Sequence, residues 1–157
     1  MSGAGAPEIT VDGTGLKVTI VAGQWHTEIS EGLLAGAHRV LAASGATVTE
    51  IRVPGSFELP VVAKAALDAG ADGVVALGVI IRGGTPHFEF VSDAATSGLT
   101  QVALLTGKPV GFGVLTLDDE QQGIDRAGFA DSKEDKGAEA AEAVLATAVL
   151  LRSIRGN

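Results

Sequence analysis

The stretch GVVALGVII, residues Gly73–Ile81, decides the fold. It is apolar at almost every position, as expected for a strand covered on both faces, and such strands belong to parallel sheets. Three further short runs are rich in β-branched residues: LKVTIVA (Leu16–Ala22), TVTEIRV (Thr47–Val53) and VGFGVLTL (Val110–Leu117). We therefore predict a sheet of four parallel strands.

The segments between these runs carry apolar residues at helical spacing. The predicted helices are one that spans Ile29–Leu41 and ends at Ser44-Gly45, one that follows Ser56 and includes Pro60 in its first turn, one at about 92–105, a short one near 119–127, and an Ala-rich one at about 137–152. Alternating strands and helices without a second hydrophobic unit predict one α/β domain over residues 14–157. Residues 1–13 are predicted to form a flexible tail, because small residues and Pro7 dominate them.

The composition excludes several classes of protein. The formal net charge is −8 and no Lys/Arg cluster forms a stripe, which disfavours a nucleic acid or an anionic membrane as partner. The chain has no Cys, which excludes disulfides, thiolate nucleophiles and Cys-ligated metals. The first residues do not have the pattern of a signal peptide and no apolar run is long enough to span a membrane, so we expect a cytoplasmic protein.

The hydrophobic fraction is 46%, against 19% charged residues. A buried interface between subunits would explain this surplus, since obligate interfaces resemble a domain core cut in half. A strongly hydrophobic monomer core explains it equally well, and composition alone does not separate the two.

Ligands of parallel α/β sheets bind beyond the carboxyl ends of the strands, and the segment Arg82–Phe88 follows the third predicted strand. Gly83 and Gly84 allow a ligand to approach the backbone closely. The Thr85 hydroxyl, beside exposed N–H groups, could hold a phosphate. His87 should lie at the sheet edge, where an imidazole accepts and donates protons near neutral pH. The alternative is a plain turn with an incidental surface histidine.

The ends of the first two strands supply further candidates. Ser56 and Glu58 stand where a helix is about to begin, so their side chains and the free N–H groups could bind the hydroxyls of a polyol or the edge of a heterocycle. Ordinary helix capping, with Ser56 at the N-cap, explains the same pattern. Trp25, the only tryptophan, either stacks on a planar heterocycle or packs as a lid over the core.

Three residues later in the chain have ordinary explanations when each is taken alone. Arg126 could bind a phosphate if the fold brings it near Thr85, because a guanidinium matches the phosphate oxygens, but a solvated arginine is the simpler explanation. Lys136 lies in a charged segment that resembles a solvated connection. Phe112 falls within the fourth strand, where core packing is its first explanation.

Two common users of this architecture do not fit the sequence. A phosphoacceptor receiver domain needs an acidic cluster at its strand ends, but neither Ala22–Gln24 nor Val79–Ile81 supplies an aspartate. A flavodoxin needs a Thr/Ser-rich phosphate loop after its first strand, whereas this chain has GQWH at Gly23–His26.

Five motifs occur together in a fixed order. They are VPGSFELP (53–60), GVIIRGGTPHF (78–88), GFGVLT (111–116), DRAG (125–128) and DKG (135–137). In this order and spacing they resemble the motifs of the lumazine synthase family, over about residues 15–153. The resemblance implies a single flavodoxin-like domain of three layers, with helices on both faces of the parallel sheet.

The resemblance also implies a reaction. Members of the family condense 5-amino-6-(D-ribitylamino)uracil with 3,4-dihydroxy-2-butanone 4-phosphate to 6,7-dimethyl-8-ribityllumazine, phosphate and water, the penultimate step of riboflavin biosynthesis. Neither a metal nor a cofactor is implied, because Schiff-base formation, phosphate loss and ring closure depend on proton transfer and orientation.

Site residues follow from the resemblance by motif position. His87 would transfer protons, and Trp25 would stack on the pyrimidine ring. The remaining implied contacts are Ser56, Phe57 and Glu58 to the ribityl chain and its ring, the backbones of Val79, Ile80 and Ile81 to the pyrimidine, and Gly84 and Thr85 together with Arg126 to the phosphate.

An oligomer is implied as well. In the family, the residues that match Phe112, Arg126 and Lys136 come from the neighbouring subunit and complete the site. The loop Phe129–Asp135 looks longer than in capsid-forming members, so we predict a pentamer rather than a shell of sixty subunits. Two other interpretations remain: a lumazine- or flavin-binding relative without turnover, and an α/β module that uses its apolar surface only for assembly.

Overall fold

The protein is described by a computed structural model that covers Gly5, Pro7 and residues 10–156. Four parallel strands form one sheet in the order β2-β1-β3-β4. Their bounds are β1 Lys17–Gly23, β2 Thr47–Val53, β3 Gly73–Ile81 and β4 Val110–Leu117. The predicted parallel sheet is confirmed, and β1 is shifted by a single residue from its predicted position.

Helices cover both faces of this sheet. Over the described residues they are α1 Thr27–Ser44, α2 Leu59–Asp68, α3 His87–Thr106, α4 Glu120–Ile124 and α5 Lys136–Arg155, with a 3-10 turn at Ser56–Glu58 before α2. Helices α1 and α5 pack on one face of the sheet, and α2 and α3 pack on the other. This arrangement confirms the predicted three-layer α/β fold.

The central strands explain why the sequence of β3 is so apolar. Its side chains alternate between two cores: Val75 and Leu77 point towards α1 and α5, whereas Val74 and Ala76 point towards α2 and α3. All four are essentially inaccessible to solvent. A strand buried on both faces has no position at which a polar side chain could reach water, so no polar residue interrupts the run.

Helix α3 begins five residues earlier than the sequence predicts, at His87 instead of about Ser92. Pro86 stands at its N-cap, where the missing N–H of proline costs nothing. The first turn was missed because Gly83, Gly84 and Pro86 indicate a turn, although Phe88 and Val91 continue the helical spacing of the later core residues and pack against the α2–α3 core. The correction matters because it places His87 on the first turn of a long helix and not in a free loop.

The predicted N-terminal tail is described only in part, since residues 1–4, 6, 8 and 9 lie outside the described residues. Further along, Val11 packs against the α1–α5 core, and the Gly13 N–H donates to the Ser44 carbonyl at 2.8 Å. The flexible tail remains a prediction. Within the described part of the chain, no helix is both long enough and apolar enough to cross a membrane.

Candidate active site

A cleft of about 340 Å³ opens where β1, β2 and β3 end. In the sheet, β2 lies on one side of β1 and β3 lies on the other. The cleft therefore sits at the point where the strand order reverses. We call it the aromatic cleft; its lining residues are Trp25, His26, Gly55, Ser56, Phe57, Glu58, Val79, Ile80, Ile81, Gly83, Thr85, His87, Phe88 and Val91.

Trp25 stands in the short connection between β1 and α1 and is 66% exposed. That exposure rules out the alternative in which it packs as a lid over the core. One edge of the indole rests on Gly55, where an added Cβ would lie 3.1 Å from Nε1. The next residue, His26, adopts the left-handed conformation (φ 57°), which a residue other than glycine rarely takes. The turn thus leaves an indole face open towards the cleft.

The 3-10 turn after β2 holds three of the predicted site residues, Ser56, Phe57 and Glu58. Ser56 is buried, and its Oγ packs directly on the backbone of β3 at Gly78. It does not cap α2, whose N-cap residue is Glu58, so the capping prediction for Ser56 is wrong. The local cap is instead the Glu58 carboxylate, whose Oε2 accepts the Gly55 N–H at 3.0 Å.

The last residues of β3 present open backbone groups. Strand β1 pairs with β3 only as far as Leu77, whereas β4 pairs with it as far as Ile81. Neighbouring residues of a parallel strand direct their N–H and C=O groups to alternate sides. Between Val79 and Ile81, polar groups on the β1 side therefore face the cleft instead of a described strand, as recognition of a heterocycle edge requires.

The segment after β3 leads from the sheet edge into α3. Thr85 Oγ1 accepts the His87 N–H at 3.4 Å, so both side chains stand at the helix N-terminus beside the cleft. Arg82 anchors the start of the segment: its Nε donates to Asp118 at 3.0 Å, and its guanidinium lies 4.4 Å from the centre of the Phe88 ring. Gly84, the glycine predicted for the site, is exposed next to the cleft, while Gly83 lines it.

The other three predicted residues line a second cleft, of about 660 Å³, along the edge strand β4. We call it the charged cleft; its lining residues are Phe112, Val114, Leu115, Thr116, Leu117, Gln122, Arg126, Glu134, Lys136, Glu139, Ala140 and Ala143. The two clefts share no lining residue in the described chain. Within one subunit, Arg126 and Thr85 therefore line different clefts.

Two residues of the charged cleft, Phe112 and Lys136, do not fit the simpler explanations that the sequence offered for them. Phe112 is 48% exposed, so it is not a core residue although it lies in a strand. Lys136 is the first residue of α5 and its side chain is only 16% exposed, which contradicts a solvated connection. Arg126 keeps 39% of its side chain exposed, and its Nη1 donates to the Gln122 carbonyl at 2.8 Å.

One acidic side chain links these cations and was not predicted. Glu134 Oε2 lies 3.8 Å from Arg126 Nε and 3.4 Å from Lys136 Nζ, and Glu139 Oε2 lies 3.4 Å from the same ammonium group. In the sequence Glu134 belongs to a run of charges typical of a solvated face, and no local signal marks it as buried. Only the tertiary packing of the segment reveals it.

No group of three or more His, Asp or Glu side chains that could hold a metal ion occurs within the described residues. The absence of metal and cofactor from the reaction remains a prediction. The aromatic cleft offers an open indole, the carboxylate of Glu58, unpaired backbone groups and an imidazole at a helix N-terminus. Such a set suits a planar heterocycle that carries a polyol chain and reacts by proton transfer.

The family model for 6,7-dimethyl-8-ribityllumazine synthase matches residues 15–152. The chain belongs to the lumazine synthase family. Proteins named 6,7-dimethyl-8-ribityllumazine synthase from Clavibacter sepedonicus, Clavibacter michiganensis and Leifsonia xyli are similar to it, with 80%, 78% and 73% identity. Each alignment covers 99% of this chain and at least 99% of the relative.

The resemblance predicted from the five sequence motifs is thereby confirmed. The structure distributes these motifs over both clefts. The motifs at 53–60 and 78–88 form the aromatic cleft, and those at 111–116, 125–128 and 135–137 contribute to the charged cleft. The role of each individual residue remains a prediction.

Proposed function

We infer that this protein condenses 5-amino-6-(D-ribitylamino)uracil with 3,4-dihydroxy-2-butanone 4-phosphate, and releases 6,7-dimethyl-8-ribityllumazine, phosphate and water. It is a transferase of riboflavin biosynthesis. The observation that carries this proposal is the match to the lumazine synthase family across the whole fold, with the family motifs gathered at two clefts. The aromatic cleft of one subunit and the charged cleft of its neighbour together form one site.

The aromatic cleft binds the ribitylaminouracil. Trp25 stacks on the pyrimidine, since its indole is exposed at the mouth of the cleft. The edge of the ring meets the open backbone groups of Val79, Ile80 and Ile81. The ribityl chain lies along the 3-10 turn, where Ser56, Phe57 and Glu58 contact the chain and its ring. The cavity volume of about 340 Å³ falls in the usual range for a small-molecule site.

The phosphate of the second substrate lies next to Gly84 and Thr85, at the N-terminus of α3. The 20-residue helix directs the positive end of its dipole to this point, which favours an anion. His87, on the same helical turn, transfers protons between the two substrates. Arg126 supplies the charge-assisted hydrogen bonds to the phosphate oxygens.

The chemistry requires both substrates in one place. The free amine of the uracil adds to the ketone carbonyl and loses water to give a Schiff base. Elimination of phosphate leaves an enol that tautomerises to a carbonyl. The ribitylamino nitrogen then adds to this carbonyl and a second water is lost, which completes the pteridine. Each step moves a proton, and an imidazole that is held beside the reacting atoms can accept and return it. Orientation of two bound substrates supplies much of the remaining rate.

The assembly is a homo-oligomer in which the charged cleft of one subunit completes the aromatic cleft of the next. The separation of Arg126 from Thr85 within a subunit supports this, as does a surface rich in exposed apolar side chains, among them Phe57, Val61, Phe90, Leu104, Leu105, Val149, Leu150 and Ile154. We propose a pentamer, not a sixty-subunit shell, because of the loop Phe129–Asp135. Light scattering after size exclusion would contradict the pentamer by showing a megadalton particle.

The decisive experiment mixes the purified protein with the two substrates and follows lumazine absorbance and fluorescence against the uncatalysed background. Product above background supports the proposed activity. If no product forms while lumazine or riboflavin still binds tightly, the protein is a binding relative and the proposal is wrong. We also propose a cytoplasmic location, which cell fractionation with an antibody against the protein would test.

A further inference from the structure

Glu134 occupies an unexpected position for a carboxylate, because it lies beside Arg126, which is proposed to bind a phosphate. The same oxygen, Oε2, faces both Arg126 Nε at 3.8 Å and Lys136 Nζ at 3.4 Å. The Glu134 side chain is only 13% exposed, so water screens its charge less than that of a surface residue. The carboxylate thus acts on Arg126, the cation proposed to bind the phosphate, and on Lys136 beside it.

The backbone fixes Glu134 in this place. Its N–H donates to the Asp125 carbonyl at 3.0 Å, and its carbonyl accepts the Gly128 N–H at 3.1 Å. The Lys136 N–H donates to the Arg126 carbonyl at 3.0 Å, which closes the segment on itself. These bonds do not involve the Glu134 side chain, so a change of its charge leaves the course of the chain intact.

Charges in the charged cleft balance. Arg126 and Lys136 contribute two positive charges, and Glu134 and Glu139 contribute two negative ones, all four side chains lining the same cleft. Described partners engage Nε and Nη1 of Arg126, through Glu134 and the Gln122 carbonyl. One hydrogen bond, to the Gln122 carbonyl, and the ion pair with Glu134 therefore orient the guanidinium.

We propose that Glu134 sets the anion affinity of this cluster: it orients Arg126 and cancels positive charge, so that phosphate is bound by directional hydrogen bonds and is released readily after the reaction. This proposal rests on the proposed function, in which Arg126 binds the phosphate of the substrate. A negative charge a few ångströms from a bound dianion weakens its binding. Removal of that charge should tighten phosphate binding, whereas loss of a purely structural residue would weaken it.

The test uses inorganic phosphate as the probe on the assembled full-length protein. Its dissociation constant by calorimetry and its inhibition constant against the butanone phosphate are measured for Glu134→Gln, which keeps shape and removes charge. Glu139→Gln is the second variant, since Glu139 contacts Lys136. The matched control is Glu31→Gln. Glu31 lines neither cleft, and its carboxylate lies 3.4 Å from Arg52. Arg126→Ala serves as the reference for loss of phosphate binding.

We expect Glu134→Gln to bind phosphate roughly tenfold more tightly, with lower kcat if phosphate release limits turnover, and Glu139→Gln to shift the same way by a smaller factor. Glu31→Gln should not change either constant. If Glu134→Gln weakens phosphate binding or leaves it unchanged while Arg126→Ala weakens it, Glu134 does not set the affinity and the proposed function stands. If Arg126→Ala itself has no effect, the phosphate assignment fails. If Glu134→Gln does not assemble, the direction in which Glu139→Gln changes the phosphate dissociation constant decides whether the proposal holds.

Discussion

The aromatic cleft and the charged cleft differ in the groups that shape them. The first is shaped by backbone: Gly55 lets the indole of Trp25 approach, Gly78 lets Ser56 pack on β3, and the end of β3 exposes its own polar groups. The second is shaped by side chains, with Glu134 between Arg126 and Lys136 along an edge strand.

This difference assigns the recognition of the heterocycle to one cleft and the charge that acts on the phosphate to the other. A cleft made of backbone at the ends of parallel strands has a geometry that the whole sheet enforces, which suits the orientation of a rigid heterocycle. In a cleft made of ion pairs, a single substitution can change the net charge without any change to the fold. In the proposed enzyme the two are joined only across a subunit boundary, so assembly and catalysis are coupled.

The largest effect is expected from the aromatic cleft. His87→Ala should lower kcat by about a hundredfold without abolishing turnover, because general acid–base catalysis is lost while binding and orientation remain. Steady-state kinetics with both substrates would measure it. His38→Ala, which removes a histidine paired with Glu50 on the surface, is the control. An unchanged kcat would remove His87 from the mechanism.

Next comes the charged cleft. Arg126→Ala should weaken the binding of the butanone phosphate by about 1.5–3 kcal/mol, because charge-assisted hydrogen bonds to the phosphate are lost. The loss should appear mainly as a higher KM for that substrate. The matched control is Arg52→Ala, which removes an arginine of strand β2 that pairs with Glu31. A change confined to the KM of the uracil substrate would show that Arg126 does not bind the phosphate.

Mixed oligomers test whether the two clefts meet between subunits. His87→Ala and Arg126→Ala chains with different tags are co-expressed, and assemblies that carry both tags are isolated. If each site takes His87 from one subunit and Arg126 from the next, about a quarter of the sites keep both residues when the chains mix at random. Activity should then rise to about a quarter of that of the native protein.

Without such complementation, the mixed assemblies would show only the average of the two variants. That result would place both residues of each site in one subunit, and the coupling of assembly to catalysis would be wrong. Refolded mixtures of native protein with a single variant provide the reference for subunit exchange.

The sequence predicts most of this fold because β3 and its neighbours follow simple rules. An apolar run with no polar position must be covered on both faces, and the bounds of β2, β3 and β4 agree with the prediction. The start of α3 was missed because the glycines before it indicate a turn. Pro86, together with Phe88 and Val91 at the helical spacing of Ala95, was the available signal.

The candidate site could be predicted in part. Trp25 and His87 were placed at strand ends by the rule for parallel sheets, and the structure puts both at one cleft. The rule says nothing about Glu134, because its burial depends on backbone hydrogen bonds between residues that no periodic pattern relates. Nor does it say that Arg126 and Thr85 are separated within a subunit, which is a property of the whole surface.

The smallest effect distinguishes two adjacent glycines. A Cβ added at Gly83 or at Gly84 would meet no heavy atom within 4 Å, so alanine at either position should leave the free energy of unfolding nearly unchanged. An added methyl group acts only where a ligand approaches. Gly84→Ala should therefore raise the KM of the butanone phosphate roughly fivefold, about 1 kcal/mol, if the phosphate packs on that backbone.

Gly83→Ala is the natural partner of this variant, because Gly83 lines the aromatic cleft and Gly84 stands beside it. We expect its effect to fall on the KM of the uracil substrate. Thermal denaturation of both variants controls for stability, and steady-state kinetics separates the two substrates. If Gly83→Ala instead raised the KM of the butanone phosphate and Gly84→Ala did nothing, the phosphate would lie one residue closer to β3. Arg126 would then have to reach further into the aromatic cleft of its neighbour.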